Sequence, residues 1–333
     1  MRKYIIVSLI IIAIVLLGLG VMWKNMNSSS SNAGAQAPIT IGDTPYEYSG
    51  LIYIAENKGF FSENGLNITD RDYSSGPETI RGLLDNETNI GLASEYAFVQ
   101  NQFGNENLQI IGTIDTYNEI YIIGRRDKGI ENVSDLKGKI IGTTLGGSGE
   151  FYLGRFLELN GLTIKDVILV DLLPSQYADA LTNGTVDALV TGVNIDQIKE
   201  QLGSTIVEWP AQSDQEGYWL LIGRNDWVTS HPDQVTGILR SLYKSEIYAE
   251  NNPSEAKAII EKRLNYSDTN IATIWPENHF SLTMDESLIS AMDDEAIWMM
   301  ANNLTNTTTI PDFRNNIYIN GMEAVKPGSV DIF

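Results

Sequence analysis

The body of this chain repeats itself. One half opens G-F-F-S-E-N-G-L-N-I-T-D-R-D-Y at Gly59 and continues P-E-T-I-R-G-L-L-D-N-E-T-N-I-G-L-A-S from Pro77 to Ser94. The other opens G-R-F-L-E-L-N-G-L-T-I-K-D-V-I-L-V-D-L at Gly154 and continues P-S-Q-Y-A-D-A-L-T-N-G-T-V-D-A-L-V-T from Pro174 to Thr191. Asn64-Gly65-Leu66 answers Asn160-Gly161-Leu162, and the segments from each proline align without a gap, Leu84 with Leu181, Asn86 with Asn183 and Leu92 with Leu189. Each half reads strand, turn, helix, Asn-Gly turn, strand, helix, strand. The first strands are Thr40–Gly42 and Ile140–Gly142, and the last are Ile90–Ala93 and Ala188–Val190. Short apolar strands alternating with helices predict parallel sheets covered on both faces. Two such halves predict an α/β protein of two lobes, which suits 333 residues better than one core does.

A second echo marks the joints. Ile122-Ile123-Gly124-Arg125-Arg126-Asp127 resembles Leu221-Ile222-Gly223-Arg224-Asn225-Asp226, and the two stretches bracket the second half. The chain is therefore expected to leave lobe one near residue 125 and return near 223. That makes lobe one from 39–125, lobe two from 126–222, and a return to lobe one over 223–333. Two crossing strands make a hinge able to close the lobes on a ligand. Beyond the return the chain is helix-rich. His231 to Asn251 has helical spacing, with Val235, Ile238, Leu239, Leu242, Ile247 and Tyr248 available to a core. Asp285 to Asn302 is a further helix.

Ahead of the body, Met1-Arg2-Lys3 is basic and Tyr4 to Met22 carries no charge. At about 1.5 Å per helical residue that run reaches the roughly 30 Å of a hydrocarbon core. Residues 1–23 read as a membrane anchor or signal segment, with the basic end cytoplasmic, and 24–38 as a flexible linker. Ala35-Gln36-Ala37 has the form of a cleavage site but stands far from the apolar run. Either reading exports the body. Formal charge of -21 repels nucleic acid and anionic lipid surfaces. The chain has no cysteine and two histidines, which removes thiolate chemistry and disfavours histidine triads and metal clusters. No metal, cofactor or catalytic residue is expected.

Four phrases carry a family resemblance: A-E-N-K-G-F-F-S-E-N-G-L at 55–66, V-S-D-L-K-G-K-I-I-G-T-T-L-G-G-S-G at 133–149, N-G-T-V-D-A-L-V-T-G at 183–192 and H-P-D-Q-V at 231–235. In this order and spacing they resemble the solute-binding proteins of ABC importers that handle nitrate, sulfonates, taurine and thiamine-precursor pyrimidines. The resemblance covers residues 39 to about 325. It implies the two-lobed type II periplasmic-binding-protein fold with two crossover hinge strands. It further implies a monomer that closes on one small ligand outside the cytoplasm and delivers it to a membrane permease driven by a separate ATPase.

Ligands of such sheets sit beyond the carboxyl ends of the parallel strands. The loops expected to face the cleft supply Asp43, Tyr46, Glu47, Tyr48 and Ser49; Ser75 and Gly76; Ser94, Glu95 and Tyr96; and Gly147, Ser148, Gly149 and Glu150. Asn194 and Trp219 are further candidates. Ser148 and Gly149 match the helix start at which family members hold anions, by hydroxyl and backbone N–H. The loops carry four acids, Asp43, Glu47, Glu95 and Glu150, and the four main loops carry no Lys or Arg. Acids and tyrosine rings together predict an amine-bearing, cationic or pyrimidine-like ligand. The competing reading of each acid is a helix N-terminal charge turned to solvent. Anion binding, a sensor ectodomain and a pyrimidine-precursor enzyme on the same fold stand as alternatives.

Overall fold

The computed structural model describes residues 38–104 and 107–332. The expected anchor lies outside them, as does the linker up to residue 37. Among the described residues no helix is long and apolar enough to cross a membrane.

The chain begins with β1 (Ile39–Asp43), β2 (Ile68–Asp72), β3 (Ile90–Ser94) and β4 (Leu108–Tyr117). It then crosses to a second sheet of β5 (Tyr121–Arg125), β6 (Ile140–Thr143), β7 (Ile168–Asp171), β8 (Ala188–Thr191) and β9 (Ile206–Pro210). It returns through β10 (Gly217–Arg224), and β11 (Asn278–His279) closes the first sheet's edge. The first sheet has the order β11-β4-β10-β3-β1-β2 and the second β7-β6-β8-β5-β9. Strands of the repeat pair in parallel, β1 with β2 and β3, β6 with β7 and β8. Strands beside each crossing pair antiparallel. Both lobes thus share one plan: second strand, first strand, third strand, the strand entered from the hinge, the strand that leads into it.

The repeat is also visible in how its helices end. In the first half Asn64 donates its side-chain amide to Phe60 O at 2.9 Å, and in the second Asn160 donates to Phe156 O at 2.8 Å. Gly65 and Gly161 then take φ of 74° and 78°, a region that costs glycine nothing. Leu66 N–H and Leu162 N–H donate back to Phe61 O and Leu157 O. Three residues close a helix and aim the chain at the next strand, as a glycine C-cap does. Pro77 and Pro174 each occupy a first helical turn, where a missing N–H costs little.

The crossings lie nearer the hinge than the sequence echo placed them. Ile122–Arg125 already pairs with β8 and β9 in lobe two, and Gly217–Arg224 already pairs with β3 and β4 in lobe one. The chain crosses at 118–120 and again at 211–216. The echo arises because β5 and β10 are equivalent strands, each entered from a crossing, and not because the stretches are themselves the joints. One side chain ties the two crossings together. Buried Gln212 donates to Tyr117 O at 3.0 Å and to Gln215 O at 2.9 Å, and accepts from Ile120 N–H at 2.9 Å. Ala211 N–H adds a bond to Ile120 O at 2.8 Å.

The Pro232–Asn251 and Glu286–Ala301 helices form as expected and extend lobe one. Val235, Ile238, Leu239 and Leu242 are fully buried, whereas Ile247 is 41% exposed on the outer face. The lobes also meet through rings. Tyr96 and Phe151 stack with centroids 5.8 Å apart, and Trp298 lies so close over Gly154 that an added Cβ would stand 2.0 Å from its ring.

Gln212→Ala leaves a buried N–H and C=O without partners. It should lower unfolding free energy by about 1–3 kcal/mol, read as a lower urea midpoint. An unchanged midpoint would show that the amide contributes nothing to holding the crossings.

Candidate functional site

A cleft of about 110 Å³ opens between the lobes beyond the carboxyl ends of the parallel strands. Lobe one presents Thr44, Tyr46 and Tyr48 after β1, Ser75 and Gly76 after β2, and Ser94 at the end of β3. Tyr117 from β4 and Trp219 from β10 complete that side. Lobe two presents Thr143, Thr144, Gly147, Ser148 and Gly149 around the glycine turn, Thr191 to Val193 after β8, and Tyr177. None of the residues around this cleft is Asp, Glu, Lys, Arg or His.

Three helices begin here: Gly76–Leu84, Glu95–Gln102 and Ser148–Leu159. Their first N–H groups lack intrahelical partners and carry partial positive charge. The glycine turn delivers the third of them. Gly146 takes φ of 76°, and a Cβ there would meet the Gln100 side chain of lobe one at 2.4 Å. Thr144 N–H donates to Tyr177 Oη at 2.9 Å and Leu145 N–H to Asp171 Oδ1 at 3.0 Å. Across the cleft, Tyr117 Oη and Ser148 Oγ lie 2.8 Å apart, joining one lobe to the other. Tyr48 lies between two further rings, 4.6 Å from Tyr117 and 5.2 Å from Trp219 by centroid.

Of the residues singled out by sequence, the cleft gathers Tyr46, Tyr48, Ser75, Gly76, Ser94, Gly147, Ser148, Gly149 and Trp219. The four acids are turned elsewhere, each toward a particular partner. Asp43 is fully buried and accepts from Ser49 Oγ, from Tyr53 Oη at 2.9 Å and from Thr44 N–H at 2.7 Å. Ser49 in turn accepts from Trp219 Nε1 at 3.1 Å, so Asp43 and Ser49 orient a ring of the cleft from behind. Burial pushes the Asp43 carboxyl up to about 7 against the pull of those bonds. Glu150 accepts from Gly146 N–H at 2.8 Å and fastens the glycine turn; burial raises its pKa.

Glu95 accepts from Tyr218 N–H at 3.1 Å beside the hinge, and burial pushes it up to about 8. Glu47 accepts from Tyr266 Oη at 2.7 Å and, with Asn194, lines a different cavity. Tyr96 is fully buried in the ring cluster between the lobes. Neither predicted alternative for the acids, ligand contact in the cleft or solvent, describes these positions. Sequence reasoning passed over Thr143, Thr144, Tyr117, Tyr177 and Thr191. Three of these were within reach of the strand-end rule, because Thr143, Tyr117 and Thr191 terminate β6, β4 and β8.

The family described as NMT1/THI5 like matches residues 47–256, more than half of the chain. A protein of Brucella abortus (strain 2308) named as a binding protein is 26% identical over 255 residues, covering 75% of this chain and 78% of its own. A Bacillus subtilis (strain 168) protein named for aliphatic-sulfonate binding is 26% identical over 213 residues, 62% of this chain and 64% of that one. Among solved structures, the alkanesulfonate-binding protein of Xanthomonas axonopodis pv. citri, bound to MOPS, superposes with a TM-score of 0.75 at 17% identity, over 86% of this chain and 99% of that one. The fold is therefore that of the two-lobed periplasmic binding proteins.

Two outcomes follow from the acids. Glu150→Ala removes the acceptor of Gly146 N–H and should cost about 1–3 kcal/mol; Glu150→Gln keeps a carbonyl acceptor and should cost less, which paired urea titrations would reveal. Asp43 and Glu95 have ordinary values of 3.8 and 4.5, against about 7 and about 8 in the fold. Between those limits the folded protein binds more protons than the unfolded chain, so stability falls as pH rises through that window. The urea midpoint should be higher near pH 5 than near pH 8, with a shallower slope in Glu95→Gln. A midpoint that climbs across the same window would contradict this assignment.

Proposed function

The chain belongs to the NMT1/THI5-like family, and from that premise we propose that it is the solute-binding receptor of an ABC importer. It works outside the cytoplasm, tethered by the Tyr4–Met22 segment, and hands its ligand to a permease with a separate ATPase. It binds and releases without chemistry of its own. The double crossing supports this reading, because a ligand touching both lobes favours the closed arrangement over the open one.

The ligand is a small organic anion of the sulfonate class. One observation carries this reading: a wall without charged side chains on which three helix starts converge. A helix N-terminus favours an anion by about 0.3–1 kcal/mol, and by up to about 2 in partly buried geometry. The Ser75, Ser94 and Ser148 hydroxyls add donors, and Tyr48, Tyr117 and Trp219 supply surface for the organic body. That wall has no carboxylate to favour a cation, and the acids nearby are committed to Ser49, Gly146, Tyr218 and Tyr266. The tilted stack of Tyr48 between Tyr117 and Trp219 also favours a second reading, a flat pyrimidine-like ring.

Thermal unfolding with short alkanesulfonates, aminopyrimidines and simple amines separates these readings. A sulfonate at about one hundred times its Kd should stabilise the protein by about 2.7 kcal/mol, and Ser148→Ala should reduce that gain. Stabilisation by aminopyrimidines alone would move the ligand to the second reading. No stabilisation by any of the three classes would count against a receptor of this kind.

A further inference from the structure

A larger cavity of about 330 Å³ lies on the other side of the hinge crossing. Lobe two borders it with Tyr121 and the Ile195–Leu202 helix, and lobe one with Tyr266, Asn270 and Glu277. Its floor is Glu47 and Glu119, only 1% and 2% exposed. Both line the same cavity, and the charge of Glu47 acts on Glu119. Glu47 accepts from Tyr266 Oη, and Glu119 Oε2 accepts from Asn278 Nδ2 at 3.3 Å; Glu119 Oε1 forms no close hydrogen bond, although the Tyr48 hydroxyl stands near the same carboxyl beside Gly192. Behind them Asp115 is fully buried with neither oxygen partnered.

Carboxylates buried this deeply are costly unless a proton or a cation neutralises them. Burial pushes Glu119 up, and the charges of Glu47 and Asp115 push it further. The rim adds Asp196 and Glu277. The cavity's single lysine, Lys199, is held by Glu208 at 2.8 Å and so does not neutralise the floor. Among the described residues no three acidic or histidine side chains are grouped to hold a metal ion. What the walls do offer is carboxylates at separate points and the rings of Tyr121 and Tyr266, a combination suited to an extended ammonium.

We propose that this cavity is a second binding site, distinct from the cleft, that takes a small organic cation carrying one or more ammonium groups. An ammonium seated on the floor takes the place of the protons that burial keeps on these carboxyl groups and donates to Glu119 Oε1.

The test is calorimetric titration of the full chain with putrescine, in about 0.15 M salt to screen diffuse attraction to the acidic surface. Butanediol serves as the uncharged counterpart. Putrescine should bind at a single site and butanediol should not. Glu119→Gln and, at the rim, Asp196→Asn should each weaken putrescine about tenfold. Melting curves identify any variant that fails to fold, and Asp196→Asn carries the test if Glu119→Gln is lost. Repeating the titration with saturating alkanesulfonate present should leave putrescine binding intact. The proposal is overturned if putrescine does not bind, if folded variants bind it as the parent does, if butanediol binds equally, or if sulfonate competes with it.

Discussion

The two crossings between the lobes are tied to one another by the Gln212 side chain. Two strands cross between the sheets, and neither crossing is long enough to be rigid by itself. Gln212 accepts from one crossing and donates to both. The pair is thereby held together at one place between the sheets. Tyr117 and Ile120, bonded to Gln212 through their backbones, also face the cleft. The crossing and the cleft wall therefore share residues.

The wall behind the ligand is one residue thick. Gly192 borders both cavities, and an added Cβ there would stand 2.6 Å from Tyr48 Oη and 3.3 Å from Glu119 Cγ. On either side of it, chain neighbours face opposite ways. Tyr48 lines the cleft and Glu47 the second cavity; Ile120 lines the cleft, while Glu119 and Tyr121 line the other; Val193 and Asn194 divide in the same manner. That alternation sorts the chemistry. The carboxylates collect on the side of the second cavity, and the cleft keeps hydroxyls, rings and three helix starts without them.

This sorting marks the limit of what the sequence discloses. The repeat was legible because its devices are local: Asn64-Gly65-Leu66 and Asn160-Gly161-Leu162 close their helices with bonds spanning five residues at most. The Ser148 and Gly149 placement was legible for the same reason, a strand, a glycine turn and a helix in direct succession. The acids were not. Glu95 is bonded to Tyr218 N–H and Glu47 to Tyr266 Oη, partners 123 and 219 residues away. Loop position alone cannot say which face of a thin wall a side chain takes. The displaced hinge boundary has a related cause, since strands in equivalent positions share a pattern whether or not they are the joint.

A cleft without full charges also suits delivery. An anion held by a buried guanidinium would face the cost of separating two desolvated charges at every release. On the proposed sulfonate reading, the attraction comes from helix starts and hydroxyls divided between the lobes, each contribution modest and directional. Closed, they sum around one head group. Parted, the Ser148–Gly149 turn moves away from Ser75, Gly76 and Ser94, and neither set alone retains the full binding free energy. Affinity then depends on the interlobe angle more than on any single contact, so a permease that spreads the lobes can empty the site without competing for the ligand itself.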